Sequence, residues 1–211
     1  MNTKIITIAQ QKGGAGKTTL AIHLAVGLFQ QGNKIAVIDI DPQGSFSKWF
    51  NARKQKFGET YAGIKLVNGV GWRINSELSS LRNKFDYIII DSPPHAETDA
   101  KVSIKEADLV LLPVQPSQMD VWALETTMKI CEKEKIDYLV IPNRVNANSK
   151  TAKEIFDRIN NLAKTTLGNR VAYANYLKDG KTVTETEPSS IAATEIKQLV
   201  EEITKVFEEV D

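Results

Sequence analysis

Residues 10–19 read Gln-Gln-Lys-Gly-Gly-Ala-Gly-Lys-Thr-Thr, a combination suited to holding a chain of phosphates. Gly13, Gly14 and Gly16, with Ala15 between them, allow backbone N–H groups to turn inward, because a Cβ at the glycines would block either the turn or the anion. A helix that begins at Lys17 adds the positive end of its dipole. In such a loop Lys17 is expected to reach the β- and γ-phosphates of ATP, Thr18 to ligate Mg2+ and Thr19 to bond an α-phosphate oxygen. The strict pattern G-x-x-x-x-G-K-[ST] is not met, since Gln11 occupies its first glycine position. Beside it stands a second cation, Lys12, which precedes the inward-turning amides, so its ammonium is expected to point out of the mouth of the site. Two readings stand for Lys12: a solvated surface charge, or a group that reaches a nucleotide held by a facing subunit.

Three aspartates follow at strand ends. In Asp39-Ile40-Asp41-Pro42-Gln43-Gly44 the two acids are two residues apart, so they share one side of a strand at its carboxyl end, the edge where open α/β sheets bind ligands. Beside a phosphate loop they suit a magnesium and water site, with Asp39 acting through metal-bound water and Asp41 orienting or activating the attacking water. A pair of helix-capping aspartates is the alternative. The third acid, Asp91, closes "FDYIIIDSPP", an apolar run ending in aspartate that is expected beside Mg2+. His95 follows it and is read as a loop residue rather than a general base, because phosphoryl transfer relies on positioning and electrostatics.

The elements that must position these groups are legible as apolar runs alternating with amphipathic stretches, the pattern of βα units around a parallel sheet. Strands are predicted over residues 5–9, 35–40, 87–90, 109–114 and 138–141, with a short one over 64–67. Their unbroken Ile, Val and Leu content suits a sheet covered on both faces. Helices are predicted over 17–31, 72–84, 119–135, 152–166 and 191–210 from apolar spacings of three and four. The stretch 53–71 reads as irregular apart from its short strand. No linker interrupts the chain, so one α/β domain over residues 1–211 is expected, doubly wound around a mostly parallel sheet.

Bulk properties narrow the partners little. Lysine and arginine total 27 against 26 acids, so contact with a polyanion would have to come from a local patch. The single cysteine, Cys131, excludes an internal disulfide framework and any one-chain cysteine metal cluster, and reads as small core filling. No export signal and no run of about 18 apolar residues is present, so a cytoplasmic location is expected.

The segments "KGGAGKTT", "DIDPQG", "DYIIIDSPP" and "ADLVLLPVQPSQMD", in this order and spacing, resemble the ParA partition ATPases, within the deviant-Walker-A group that includes MinD. "NRVAYANYLKDGKTVTE" and "IAATEIKQLVEEI" extend the likeness over nearly the whole chain. The resemblance implies a P-loop NTPase that uses ATP and Mg2+ and forms a homodimer around the nucleotide. It implies Lys12 as the signature lysine reaching across that dimer, Lys17 as the phosphate-loop lysine, Thr18 as metal ligand and Asp41 as the residue supporting hydrolysis. Asp39 and Asp91 would act through magnesium-bound water, and Pro113, Asn143 and Arg144 match positions that frame adenine or the dimer interface. It also implies non-specific DNA binding in the ATP state, nucleoid association, a DNA or plasmid cargo and stimulation by a ParB-type partner. Larger members carry a DNA-reading segment before the phosphate loop; here the first strand begins at about residue 4, so operator binding is not expected.

The DNA surface itself is ambiguous. Lys150, Lys153, Arg158 and Lys164 fall on one predicted helix with Glu154 and Asp157 among them, and Arg170, Lys178 and Lys181 follow; a solvated face and a DNA patch fit equally. MinD-type membrane binding is disfavoured, because "TEIKQLVEEITKVFEEVD" holds two lysines against six acids, which anionic headgroups would repel. Positioning of a protein cargo, or a ligase that phosphorylates a small carboxylate, remains as an alternative.

Overall fold

A computed structural model describes residues 3–58, 63–69, 73–94 and 97–209, with the side chains of residues 97–99 left aside. His95, Trp72 and Val210 lie outside the described residues. Six strands form one sheet: β1 Lys4–Ile8, β2 Ile35–Asp39, β3 Ile64–Asn68, β4 Tyr87–Asp91, β5 Leu109–Val114 and β6 Tyr138–Pro142. Their spatial order is β3-β2-β4-β1-β5-β6, and every pairing is parallel. Alternate residues of β5 show why these runs need no polar face. Leu109 and Leu111 join the core beneath α1 Lys17–Gln30 and α9 Ile191–Glu208, whereas Val110, Leu112 and Val114 join the core on the opposite face. Both faces are therefore dry, as the continuous apolar runs require.

The topology fixes the chemistry-bearing edge. Strand β4 inserts between β1 and β2, so its register sets Asp91 opposite both Ile8 and Asp39. The loops following β1 and β2 thus open at the same edge, next to the end of β4, where the chain changes direction in the sheet.

The helices differ from the sequence expectation in several places. Residues Ser45–Phe57 form α2, where the stretch from 53 onward was expected to be irregular. Phe46, Trp49 and Phe50 are buried at helical spacing, but the next core position holds Arg53, and a charge there breaks the apolar signal. The helix expected over 152–166 is α6 Lys150–Phe156 only. Beyond it the backbone bonds to the free edge of β6: Val140 N–H donates to Asn161 O at 2.8 Å, Ala163 N–H to Val140 O at 2.8 Å and Leu167 N–H to Pro142 O at 2.8 Å. Covering an exposed sheet edge outweighs continuing the helix. Helices α3 Ile74–Leu81 and α5 Gln118–Glu134 fall within or near their expected spans, while α4 Glu97–Lys105, α7 Ala172–Asn175 and α8 Val183–Thr186 add to the expected set.

Cys131 is buried, and burial pushes its thiol up to about 12. His23, in the middle of α1, is 1% exposed. Burial holds its imidazole down, to about 4, against the pull of the Tyr173 carbonyl, which lies 3.0 Å from Nε2. As pH falls below the ordinary histidine value, the unfolded chain takes up a proton that the folded chain refuses until about pH 4. His23 therefore lowers stability on acidification, by about 3 kcal/mol over that window. The pH profile of urea unfolding of His23→Gln should rise relative to the parent between pH 6.5 and 4 and run parallel to it above pH 7; identical profiles would contradict the burial of a neutral ring.

Candidate nucleotide site

The turn between β1 and α1 is built as a cradle. Gly14 and Gly16 have φ of 77° and 97°, left-handed values that a side chain resists. A Cβ on Gly16 would also come 2.5 Å from Asn143 Nδ2. That amide donates to Ala15 O at 2.8 Å, and Gln115 Nε2 donates to Gly14 O at 2.9 Å. The loop is thus pinned from β6 and from the end of β5, leaving its own N–H groups free to face a ligand.

Lys17 is 6% exposed and folds back into this loop, with Nζ donating to Gln10 O at 2.9 Å and 3.5 Å from Lys12 O. Burial lowers its pKa, while Asp91 and Asp41 act in the opposite direction. Lys12 runs the other way. Its ammonium makes an ion pair with Asp120 of α5, a carboxylate 1% exposed that also takes the Ser117 hydroxyl. Ser117 caps α5 by accepting from Asp120 N–H. Lys12 is therefore not the free, outward-pointing charge that the sequence suggests; its partner is supplied by α5 of the same chain.

The three sequence-predicted aspartates differ in their surroundings. Asp39 accepts from Ser47 N–H at 3.0 Å and Asp41 N–H at 3.2 Å, and the Ser47 hydroxyl is 2.7 Å from its Oδ2. Gly44, at the start of α2, has no side chain to cap the helix; Asp39 performs that task from the neighbouring strand. Asp41 is half-buried, lines the cavity and accepts from Gln43 N–H at 2.9 Å. Asp91 is wholly buried, and neither of its oxygens makes a hydrogen bond of normal geometry. Burial pushes its carboxyl up to about 7, reinforced by Asp39 and opposed by Thr18 and Lys17. A buried carboxylate without partners fits a cation. Among the described residues no group of three or more His, Cys, Asp or Glu could hold a metal ion.

These groups surround a cavity of about 650 Å3, lined at one end by Gly13, Gly14, Gly16, Lys17, Thr18 and Thr19, with Asp41 beside them. Arg144 also lines it, at a φ of 53°. Asn143 braces the phosphate loop from behind, and Pro113 pairs with Ile141 inside the sheet, so neither is part of the cavity wall. The wall also includes Trp49 and Ala52 of α2 and Leu177 and Lys178 from a 3-10 turn, Leu177–Asp179. Asp120, Ser117, Trp49, Ala52 and Leu177 were missed in the sequence, and Lys178 was read only as a basic surface residue; the S-x-x-D spacing of 117 and 120 marks a helix start, but nothing in it points to Lys12. Of the basic residues, Lys150 and Lys153 lie on α6, whereas Arg158 and Lys164 follow in turns beyond its end, all four exposed. Arg170 is paired with Glu195.

A family model described as the CobQ/CobB/MinD/ParA nucleotide binding domain matches residues 6–185. The chain is 26% identical over 209 residues to maintenance of carboxysome distribution protein A of Halothiobacillus neapolitanus, covering 94% of this chain and 95% of the relative. It is 24% identical over 250 residues to the sporulation initiation inhibitor protein Soj of Bacillus subtilis, covering 95% and 98%. Among solved structures, the fold is shared with MinD of Pyrococcus horikoshii complexed with Mg-ADP, at TM-score 0.83, 20% identity and 97% coverage of each chain. It is shared also with a McdA–ATP complex from Cyanothece, at TM-score 0.79, 22% identity and 96% coverage of each.

The Lys12–Asp120 pair makes a measurable demand on the fold. Lys12→Ala strands a buried carboxylate and should cost about 1–2 kcal/mol of unfolding free energy. Adding Asp120→Asn should recover much of that loss, so a double-mutant cycle in urea should return a coupling of about 1 kcal/mol; strictly additive effects would show that the pair is not formed in solution.

Proposed function

This chain belongs to the CobQ/CobB/MinD/ParA nucleotide-binding family, and from that premise we propose that it is a positioning ATPase that dimerises around two Mg·ATP and separates on hydrolysis. The observation behind the reading is that the loop's two lysines take different partners: Lys17 turns into its own cradle, and Lys12 leaves it for Asp120 of α5. Lys17 would neutralise the β- and γ-phosphates, and Lys12, released from Asp120, would reach the nucleotide of a second copy. Thr18 and Asp91 would hold Mg2+, Asp91 through bound water, and the metal would neutralise charge on the phosphates. Asp39 fixes the start of α2 and so aims Asp41 at the attacking water, while Gly13 to Thr19 supply the phosphate amides.

In the ATP state the dimer would bind DNA non-specifically through exposed lysines and arginines such as Lys150, Lys153, Arg158 and Lys164, doubled across its two subunits. No helix among the described residues is long and apolar enough to cross a membrane. The apolar stripe of α9 packs into the core, which favours DNA over a lipid surface as the matrix on which this chain moves. A partner protein of ParB type, bound to the cargo, would stimulate hydrolysis and reset the cycle. The near full-length match to a carboxysome distribution protein favours a second reading of the cargo, a large protein assembly rather than a plasmid.

Lys12→Ala should bind ATP with nearly unchanged affinity yet elute as a monomer with Mg·ATP in sizing chromatography; a persistent ATP dimer would overturn the role given to Lys12. Asp41→Ala should remain dimeric with ATP and turn over at least tenfold more slowly. The dimer should shift random-sequence DNA only with ATP, and affinity should fall steeply between 50 and 200 mM salt, as expected when phosphate contacts release counterions.

A further inference from the structure

Behind the phosphate loop lies a second, smaller cavity that the nucleotide reading does not use. It measures about 20 Å3, and Gly16, Thr19, His23, Asn143 and Tyr173 are among the residues that line it. Gly16 and Thr19 also line the nucleotide cavity, so they form the partition between the two. His23 stands four residues after Thr19 on α1, on the same face of that helix.

The direction of hydrogen bonding at His23 is fixed from its far side. Its Nε2 lies 3.0 Å from Tyr173 O, and a carbonyl can only accept, so Nε2 carries the proton. Tyr173 is itself held in place: its hydroxyl bonds to Glu195, which also accepts from Gly168 N–H at 3.0 Å and pairs with Arg170. Its ring meets that of His23 edge-on, with centroids 5.4 Å apart. Burial keeps the imidazole neutral at ordinary pH, so the opposite nitrogen, Nδ1, is bare and can only accept. That Nδ1 is buried and has no partner among the described residues, and a buried acceptor left unmatched is costly.

The cavity exceeds the roughly 10–15 Å3 that one water requires, and the groups around it can supply that water's bonds. Asn143 uses one of its two amide N–H groups on Ala15 O at 2.8 Å, which leaves the other to donate to the water's oxygen. We propose that the cavity is a binding site for one structural water, which donates one proton to His23 Nδ1 and the other to Thr19 Oγ1. Thr19 then accepts on the cavity side, and its single hydroxyl proton is left for the nucleotide side, toward the α-phosphate. This rests on the nucleotide reading above and deepens it: His23 is a positioning residue that aims the Thr19 hydroxyl through the water. The polarity of the whole chain of bonds follows from the Tyr173 carbonyl, because each later group has one choice once Nε2 carries the proton.

Long-range 1H–15N spectra of the full chain read the ring directly, and as the chain has two histidines, His95→Gln assigns the signals. With and without ADP, the ring should be protonated at Nε2 with Nδ1 shifted by an accepted hydrogen bond. A proton on Nδ1, or a bare Nδ1 with the shift of a ring that accepts nothing, would overturn the water site. Calorimetric titration with ADP then tests the aim of Thr19. Thr19→Val should weaken binding about tenfold, the size of one hydrogen bond to a charged group, and His23→Leu about fivefold. In the His23→Leu background, adding Thr19→Val should cost less than about twofold, because the hydroxyl is no longer aimed. Strictly additive losses, in a parent that binds ADP, would overturn the role of His23 and leave the nucleotide reading standing. A parent that does not bind ADP would overturn that reading, and the aiming of Thr19 with it. Should His23→Leu fail to fold, the spectra decide: loss of the Nδ1 hydrogen bond on adding ADP would overturn the proposal, and its persistence would support it.

Discussion

Charge held out of water at the carboxyl edge of the sheet is the constraint around which this structure is arranged. Lys17, Asp91 and Asp120 are all nearly or wholly buried, and burying an ion costs several kcal/mol unless partners replace its hydration. Lys17 recovers part of that cost from the Gln10 carbonyl, and Asp120 from Lys12 and Ser117. Asp91 has no hydrogen bond of normal geometry to offset its burial. A polyphosphate with magnesium would complete these groups together, so the ligand and the buried charges stabilise each other.

Under the proposed dimer the same constraint would give Lys12 two alternative partners. In the chain alone it neutralises Asp120; drawn toward a second copy's nucleotide, it would leave Asp120 buried with only Ser117. Dimer formation then has a built-in opposing term, which suits a complex that must separate once the γ-phosphate is lost. Asn143 and Gln115 brace the phosphate loop, which would keep the cradle fixed if Lys12 changed partner.

The strands and the phosphate loop were legible in the sequence because both are local statements: unbroken Ile, Val and Leu runs for a sheet dry on both faces, and glycines where backbone must turn inward. What was not legible depends on contacts between distant segments. Helix α2 was obscured because Arg53 sits where the apolar period expects a core residue, and its partner Glu185 lies far along the chain. The helix after Lys150 ends early because Asn161 to Leu167 bond to the edge of β6, although the spacing of Ile155, Ile159 and Leu162 continues to read as helical. Pro113, expected to frame adenine or the dimer interface, pairs with Ile141 inside the sheet, while Trp49 and Leu177, which line the cavity, carried no signal. The direction of Lys12 could not be read because Asp120 belongs to a helix start more than a hundred residues away.

The central claim is that the nucleotide's third phosphate decides whether two copies of this chain stay together. Sedimentation velocity of the unmodified protein with Mg·ATP and, separately, with Mg·ADP tests it most directly. The account predicts a species of twice the chain mass with Mg·ATP and a single-chain species with Mg·ADP; the same species with both nucleotides would contradict it.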